Sequence, residues 1–215
     1  MTNLKQEAAK AALRFIEDNT VVGVGTGSTV NCFIEELAAI RHRIDACVAS
    51  SKTTETRLRA AGIPVIDLNA ANEVPVYIDG ADEVNERREM IKGGGGALTR
   101  EKIIATAAQQ FICIVDESKR VKNLGEFPVA VEVLPIARSL AARELVKLGG
   151  DPEYRDGFIT DNGNIILDVF NLEISNIVAL EKAIKQIPGV VESGLFGQRR
   201  ADKVIIASAS GIATF

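Results

Sequence analysis

The chain has 215 residues, 47% of them hydrophobic and 25% charged, with a formal net charge of -4. That length builds a sizeable core, as one large domain or two modest ones. No apolar run approaches the ~20 residues needed to cross a bilayer, and the acidic balance disfavours a broad basic surface for nucleic acid.

The first stretch, MTNLKQEAAKAALRFIEDN, is an amphipathic helix pattern carrying both charge signs, not a basic segment followed by an apolar one and a cleavage site. It predicts a cytoplasmic protein. TVVGVG (20–25) predicts a buried strand, followed by a helix from Ser28 to about His42, a strand at DACVAS, a helix around TETRLRAAG and an apolar run at IPVIDL. VPVYID (74–79) and FICIVD (111–116) predict further strands, with the helix ALTREKIIATAAQQ preceding the second. Short β-rich runs alternating with helices predict an α/β fold with a Rossmann-like parallel sheet covered on both faces. Ligands bind such sheets beyond the carboxyl ends of the strands.

After about Lys122 the pattern changes to a strand (FPVAVEV), a helix (PIARSLAARELVKLGG), a hairpin around Asn162-Gly163, a helix from Ser175 to Ile187 and a strand (VVESGL). That order predicts a smaller ferredoxin-like α+β domain. KVIIASAS (203–210) is expected to return to the first sheet. The predicted domains are therefore 1–124 with 199–215, discontinuous, and 125–198.

The chemistry-bearing residues fall at the predicted strand ends. GVGTGST (23–29) joins a strand to a helix start, where unpaired backbone N–H groups, the helix dipole and the hydroxyls of Ser28 and Thr29 suit a phosphate. A dinucleotide fingerprint fails, because Ser28 stands where the third glycine belongs and no acidic residue ends the second strand. A tight turn with no ligand is the competing reading. SSKTTE (50–55) offers small hydroxyls, with Thr53 or Thr54 expected to cap the next helix. In DGADEV (79–84), Gly80 turns the chain so that Asp79 and Asp82 can share acid and base roles. A divalent metal site is weakened because the calcium-loop spacing is absent and the one histidine, His42, is remote. Cys32, Cys47 and Cys113, odd in number and without a CxxC pair, support neither a disulfide framework nor zinc.

KGGGGALTREK (92–102) combines four glycines with Lys92 and Glu101. Either Glu101 complements the helix dipole, or it is a base fixed at the start of a helix. Lys119, in DESK, is a further candidate cation at the same rim. Two aspartates, a lysine, a glutamate and a phosphate loop, without a Ser-His or Cys-His pair, fit proton transfer next to a carbonyl: a carboxylate base with a cation for the enediolate. Isomerisation of a sugar phosphate is the reaction such groups perform.

GVGTGST, YIDGADEV, MIKGGGGALTREKI and DESK, in this order and spacing, resemble type A ribose-5-phosphate isomerase, and KLGG, TDNGNIILDV and IPGVVESGLF extend the likeness over essentially the whole chain. The resemblance implies interconversion of D-ribose 5-phosphate and D-ribulose 5-phosphate without metal or cofactor, in a homodimer. It makes Glu101 the base between C1 and C2, Asp79 and Asp82 the groups for ring opening and hydroxyl proton transfer, and Lys92 the enediolate partner. It assigns substrate binding to Thr26, Gly27, Ser28, Thr29, Gly80, Ala81, Gly93, Gly94, Gly95, Lys119 and Lys5. Gly96, often alanine in that family, is expected to loosen the loop. A sugar-phosphate deaminase would need a histidine near the acid/base pair, a sugar-phosphate-sensing module could dispense with Glu101, and a nicotinamide oxidoreductase lacks its fingerprint here.

Overall fold

A computed structural model describes residues 3–215. Met1 and Thr2, which open the predicted N-terminal helix, lie outside the described residues. The chain runs α1 (Leu4–Ala12), β1 (Val21–Val24), α2 (Ser28–Ala39), β2 (Ala46–Ala49), α3 (Lys52–Ala60), β3 (Val74–Asp79), β4 (Glu83–Val84) and β5 (Met90–Ile91). It continues through α4 (Leu98–Ala107), β6 (Ala108–Asp116), β7 (Val129–Val133), α5 (Arg138–Lys147), β8 (Asp151–Tyr154) and β9 (Ile165–Phe170). The last elements are α6 (Ile177–Lys185), β10 (Val190–Ser193), β11 (Leu195–Phe196), β12 (Lys203–Ser208) and β13 (Gly211–Thr214).

Two compact units divide these elements. The first holds the residues up to Ala81 with Arg100–Arg120 and Ala201–Phe215; the second holds Asp82–Thr99 and Val121–Arg200. The sequence reading assigned 82–99 to the first domain. That segment groups with the second unit because β4 and β5 pair with β11 in a three-stranded antiparallel sheet, through two-residue strands too short to register as periodic patterns.

In the first unit a six-stranded sheet has the order β13-β12-β6-β3-β1-β2, parallel throughout except for β13 against β12. Its five parallel strands, taken in chain order, run 2-1-3-4-5, a doubly wound topology whose direction of winding reverses between β1 and β3. Such strands are covered on both faces and so read as continuous apolar runs rather than alternating ones. The core draws on Val22, Val24, Val76, Ile78, Ile112, Ile114 and Ile205 from the sheet. α2 adds Val30, Phe33, Ile34 and Leu37, spaced i, i+3, i+4 and i+7 on one stripe. Each such side chain, fully buried, stabilises by roughly 1.5–3 kcal/mol. α2 ends at Ala39, short of the predicted His42, because Arg41–Arg43 tighten into a 3-10 turn. IPVIDL forms only a single bridge, Cys47 to Val65, since Pro64 has no N–H to extend a ladder.

From β7 to β10 the second unit runs strand, helix, two strands, helix and strand, with sheet order β10-β7-β9-β8, all antiparallel. Asn162-Gly163 does turn the chain, with the Gly163 amide bonded to the Thr160 carbonyl at 2.9 Å. The partner strand lies earlier than the sequence suggests, at β8, so residues 155–164 form a long connection. Glu132, fully buried on β7, organises it. Its carboxylate accepts from Thr160 Oγ1 at 2.8 Å, Asn164 Nδ2 at 2.7 Å, Asn162 Nδ2 at 3.1 Å and the hydroxyl of Thr99. Glu132→Ala leaves these donors, of which Thr160 and Asn164 are buried, without their shared acceptor and should lower the unfolding free energy by about 3 kcal/mol or more. Urea unfolding measures this, and a loss under about 1 kcal/mol would show that the network carries little of the stability.

Candidate active site

The winding reversal places the loop after β1 beside the end of β3, and there the chain is tied together by one carboxylate. Asp79, fully buried, accepts from the Thr26 amide at 3.0 Å and the Gly80 amide at 2.7 Å through Oδ1, while Tyr77 donates its hydroxyl to Oδ2. Gly25 has to be a glycine, because a Cβ there would stand 1.9 Å from Asp79 Oδ1. The Gly25 amide in turn bonds to the carbonyl of Ile78 at 2.9 Å.

Behind this loop lies a cluster of hydroxyls. Thr26 Oγ1 sits 2.7 Å from Ser50 Oγ and 2.9 Å from Ser51 Oγ, and Thr54 Oγ1 donates to the Gly25 carbonyl at 2.6 Å. Ser51, not Thr53 or Thr54, caps α3, accepting from the Thr54 amide at 3.0 Å. SSKTTE therefore braces the loop as well as starting a helix. Thr26 turns its hydroxyl into that brace, leaving Ser28 and Thr29 on the first turn of α2, where backbone amides have no intrahelical acceptor. Lys5 donates to Ser28 Oγ at 2.8 Å, bringing a cation from α1 to the same helix start.

Glu101 lies on the first turns of α4 in the first unit. It is 4% exposed and shares the core-facing stripe with Ile104 and Ala105, three and four residues on. A glutamate serving only the helix dipole would face water; this one faces the interior. Its charge reaches Tyr77, whose hydroxyl is pushed well above 10 by burial first, and then by the negative charges of Asp79 and Glu101. Ala81 is half-buried next to Gly80, and Lys119 ends a 3-10 turn after β6 with its side chain half-buried.

Asp82, Lys92, Gly93, Gly94 and Gly95 belong to the second unit. Asp82 Oδ2 accepts from the Gly94 amide at 2.8 Å, so this carboxylate holds the glycine loop. Lys92 is only 2% exposed; its amide bonds to the Gly194 carbonyl at 2.8 Å and its Nζ lies 5.5 Å from the centre of the Phe196 ring. Gly96 does not loosen the loop. Its φ is +74° and its amide closes a turn onto the Gly93 carbonyl at 2.9 Å, while an added Cβ would stand 2.2 Å from Phe158 Cζ. Two side chains that hold this loop escape a reading of the sequence. Arg155 donates to the carbonyls of Gly93 at 3.1 Å and Gly94 at 3.2 Å, and Asp168 fixes Arg155 through two bonds of 2.8 and 2.5 Å. Among the described residues, no group of three or more His, Cys, Asp or Glu side chains is placed to hold a metal ion.

A glycine loop at the winding reversal of a parallel sheet, leading into a helix N-terminus with buried carboxylates behind it, defines a doubly wound α/β protein of the phosphate-binding kind. The chain belongs to the ribose 5-phosphate isomerase A family, whose model, Ribose 5-phosphate isomerase A (phosphoriboisomerase A), matches residues 46–211. It is 73% identical over 212 residues to a ribose-5-phosphate isomerase A of Legionella pneumophila (strain Lens), covering 99% of this chain and 98% of that one. Among solved structures, the ribose 5 phosphate isomerase A of Neisseria gonorrhoeae superposes with a TM-score of 0.97 at 46% identity, covering 99% of this chain and 95% of that one. A D-ribose-5-phosphate isomerase in complex with phospho-erythronic acid superposes with a TM-score of 0.94 at 38% identity, covering 100% of this chain and 99% of that one.

The raised Tyr77 hydroxyl has a consequence for stability. An unfolded tyrosine titrates near 10, so above that pH the unfolded chain sheds a proton that folded Tyr77 keeps, and stability falls as pH rises. Wild type should lose up to about 1.4 kcal/mol per pH unit more than Tyr77→Phe above roughly pH 10. Urea midpoints of the two proteins across the alkaline range provide the measurement, and parallel profiles would contradict it.

Proposed function

We propose that this chain interconverts D-ribose 5-phosphate and D-ribulose 5-phosphate by proton transfer through an enediolate, a step of the non-oxidative pentose phosphate pathway. The observation that carries the proposal is Glu101, a carboxylate withdrawn from water on the first turns of α4, in the unit whose winding-reversal loop presents amides suited to a phosphate.

In the opened aldose the C2 proton is acidified by the C1 carbonyl. Glu101 removes it, the electron pair delocalises onto O1 as the enediolate, and the protonated Glu101 returns the proton to C1. Lys92 supplies positive charge to the developing enediolate oxygens, and its near-complete burial makes that charge worth more than it would be in water. Asp79 and Asp82 serve ring opening and the transfer of a proton between the hydroxyl oxygens. Ser28, Thr29, Gly27 and the amide-lined loop from Thr26 hold the phosphate with Lys5 and Lys119; Gly80, Ala81, Gly93, Gly94 and Gly95 bring backbone close to the sugar. The hydroxyl of Thr26 contributes through the loop it braces.

The same proposal includes a homodimer in the cytoplasm. Among the described residues no helix is long and apolar enough to cross a membrane, and Ile136, 95% exposed before α5, is a large apolar side chain available to a second copy. Sedimentation should give twice the 23.0 kDa chain mass.

A coupled assay with ribose 5-phosphate should show turnover that a chelator leaves unchanged; no turnover, or turnover abolished by the chelator, would sink the metal-free isomerase reading. Glu101→Gln should reduce kcat by about 100- to 10,000-fold while sugar-phosphate binding persists. Near-normal activity would remove Glu101 from the base role. Lys92→Ala should reduce kcat by about 100-fold or more with a smaller change in KM, because its charge matters most as the enediolate forms. An effect confined to KM would reassign Lys92 to ground-state binding.

A further inference from the structure

The peptide plane joining Gly93 to Gly94 is held at both ends. Its N–H, on Gly94, donates to Asp82 Oδ2 at 2.8 Å. Its carbonyl, on Gly93, accepts from the Arg155 guanidinium at 3.1 Å and from the Gly96 amide at 2.9 Å. The following carbonyl, on Gly94, takes a second bond from the same Arg155 nitrogen at 3.2 Å. A positive group on the carbonyl end of a peptide draws electron density away from the N–H end, so the two bonds strengthen each other.

Arg155 is built for that position. Directly after β8, it is fixed by Asp168 on β9 through a fork of two bonds, at 2.8 and 2.5 Å, with both side chains under one-fifth exposed. The guanidinium carbon lies 5.4 Å from the centre of the Phe158 ring, and that ring fills the space a side chain at Gly96 would need. Arginine, its carboxylate and the aromatic ring thus grip one side of the glycine loop, while Asp82 holds the other.

We propose that Arg155 is a positioning residue for the isomerisation, acting through the Gly93–Gly94 peptide to orient the Asp82 carboxylate, with Asp168 as its anchor. This rests on the proposed isomerase activity and on the role given there to Asp82. Arg155 touches no reacting atom. Its loss leaves the phosphate loop of the first unit intact, so it slows the chemical step and spares ground-state binding. Lysine cannot replace it, because a point charge cannot fork to Asp168 while reaching two carbonyls.

The test compares wild type, Arg155→Met, Arg155→Lys, Asp82→Asn and the double variant Asp82→Asn with Arg155→Met. Folded sites are counted by calorimetric titration with phospho-erythronic acid, so that kcat refers to competent protein. Arg155→Met is expected to lose at least tenfold in kcat per folded site, with KM and affinity for phospho-erythronic acid within about threefold of wild type. Arg155→Lys should fall between the two, and it carries the comparison if the methionine variant does not fold. The double variant should be no slower than Asp82→Asn by more than about twofold, because both changes break one chain of contacts. Hydrogen exchange of the Gly94 amide should quicken in Arg155→Met, a change that a loss of global stability alone would not confine to this loop.

Arg155 variants within twofold of wild type, losses that multiply in the double variant, or unchanged Gly94 exchange would each overturn the proposal. If wild type fails to isomerise, or Asp82→Asn is fully active, the catalytic role fails with the reading beneath it. Gly94 exchange then reports separately whether the clamp itself holds.

Discussion

The carboxylate of Asp79 is the group on which the loop after β1 and the turn after β3 depend. A carboxylate removed from water needs strong donors in return, and Asp79 finds them in the Thr26 amide, the Gly80 amide and the Tyr77 hydroxyl. Those donors come from the loop after β1, the turn after β3 and β3 itself. One side chain therefore joins the two strands at which the sheet's winding reverses. Gly25 lacks a side chain because Asp79 occupies that space. The loop's path, and with it the start of α2, follows from the need to satisfy this buried charge.

A second requirement is that the loop keep its shape while the amides at the start of α2, beyond Thr26, remain available. The hydroxyls of Thr26, Ser50, Ser51 and Thr54 accomplish this by bonding to each other and to the Gly25 carbonyl, all from behind the loop. Hydroxyls both donate and accept, so a small cluster can satisfy itself without adding charge beside a site proposed to bind a phosphate. The glycine loop of the second unit reaches the same end by other means. There a fixed guanidinium and a carboxylate bind opposite ends of one peptide, and an aromatic ring blocks the outer path.

Much of this was legible in the sequence wherever one residue type answers to one local requirement. Unbroken apolar runs at β1, β3 and β6 announced strands buried on both faces, and the glycines and carboxylates that stood out follow the carboxyl ends of β1 and β3. What stayed hidden depends on tertiary neighbours. SSKTTE contains several residues able to cap a helix, and only the backbone geometry singles out Ser51. Two-residue strands such as β4, β5 and β11 have no period to detect. Arg155 is an ordinary surface-type residue in sequence, some sixty residues along the chain from the glycines it grips, and only the pairing of β8 with β9 brings Asp168 to it. Gly96, read as a source of looseness, proves to be the point where Phe158 closes the turn.

The position of β12 bears on how the chain is made. β12 lies between β6 and β13, yet it is synthesised only after the whole second unit has emerged. Until then β6 presents an open, strongly apolar edge, the kind of surface that pairs with other chains. The nascent first unit thus spends the translation of its neighbour with an unfinished sheet. β12 then seals β6, and β13, antiparallel and only four residues long, leaves an outer margin ill suited to recruiting another strand.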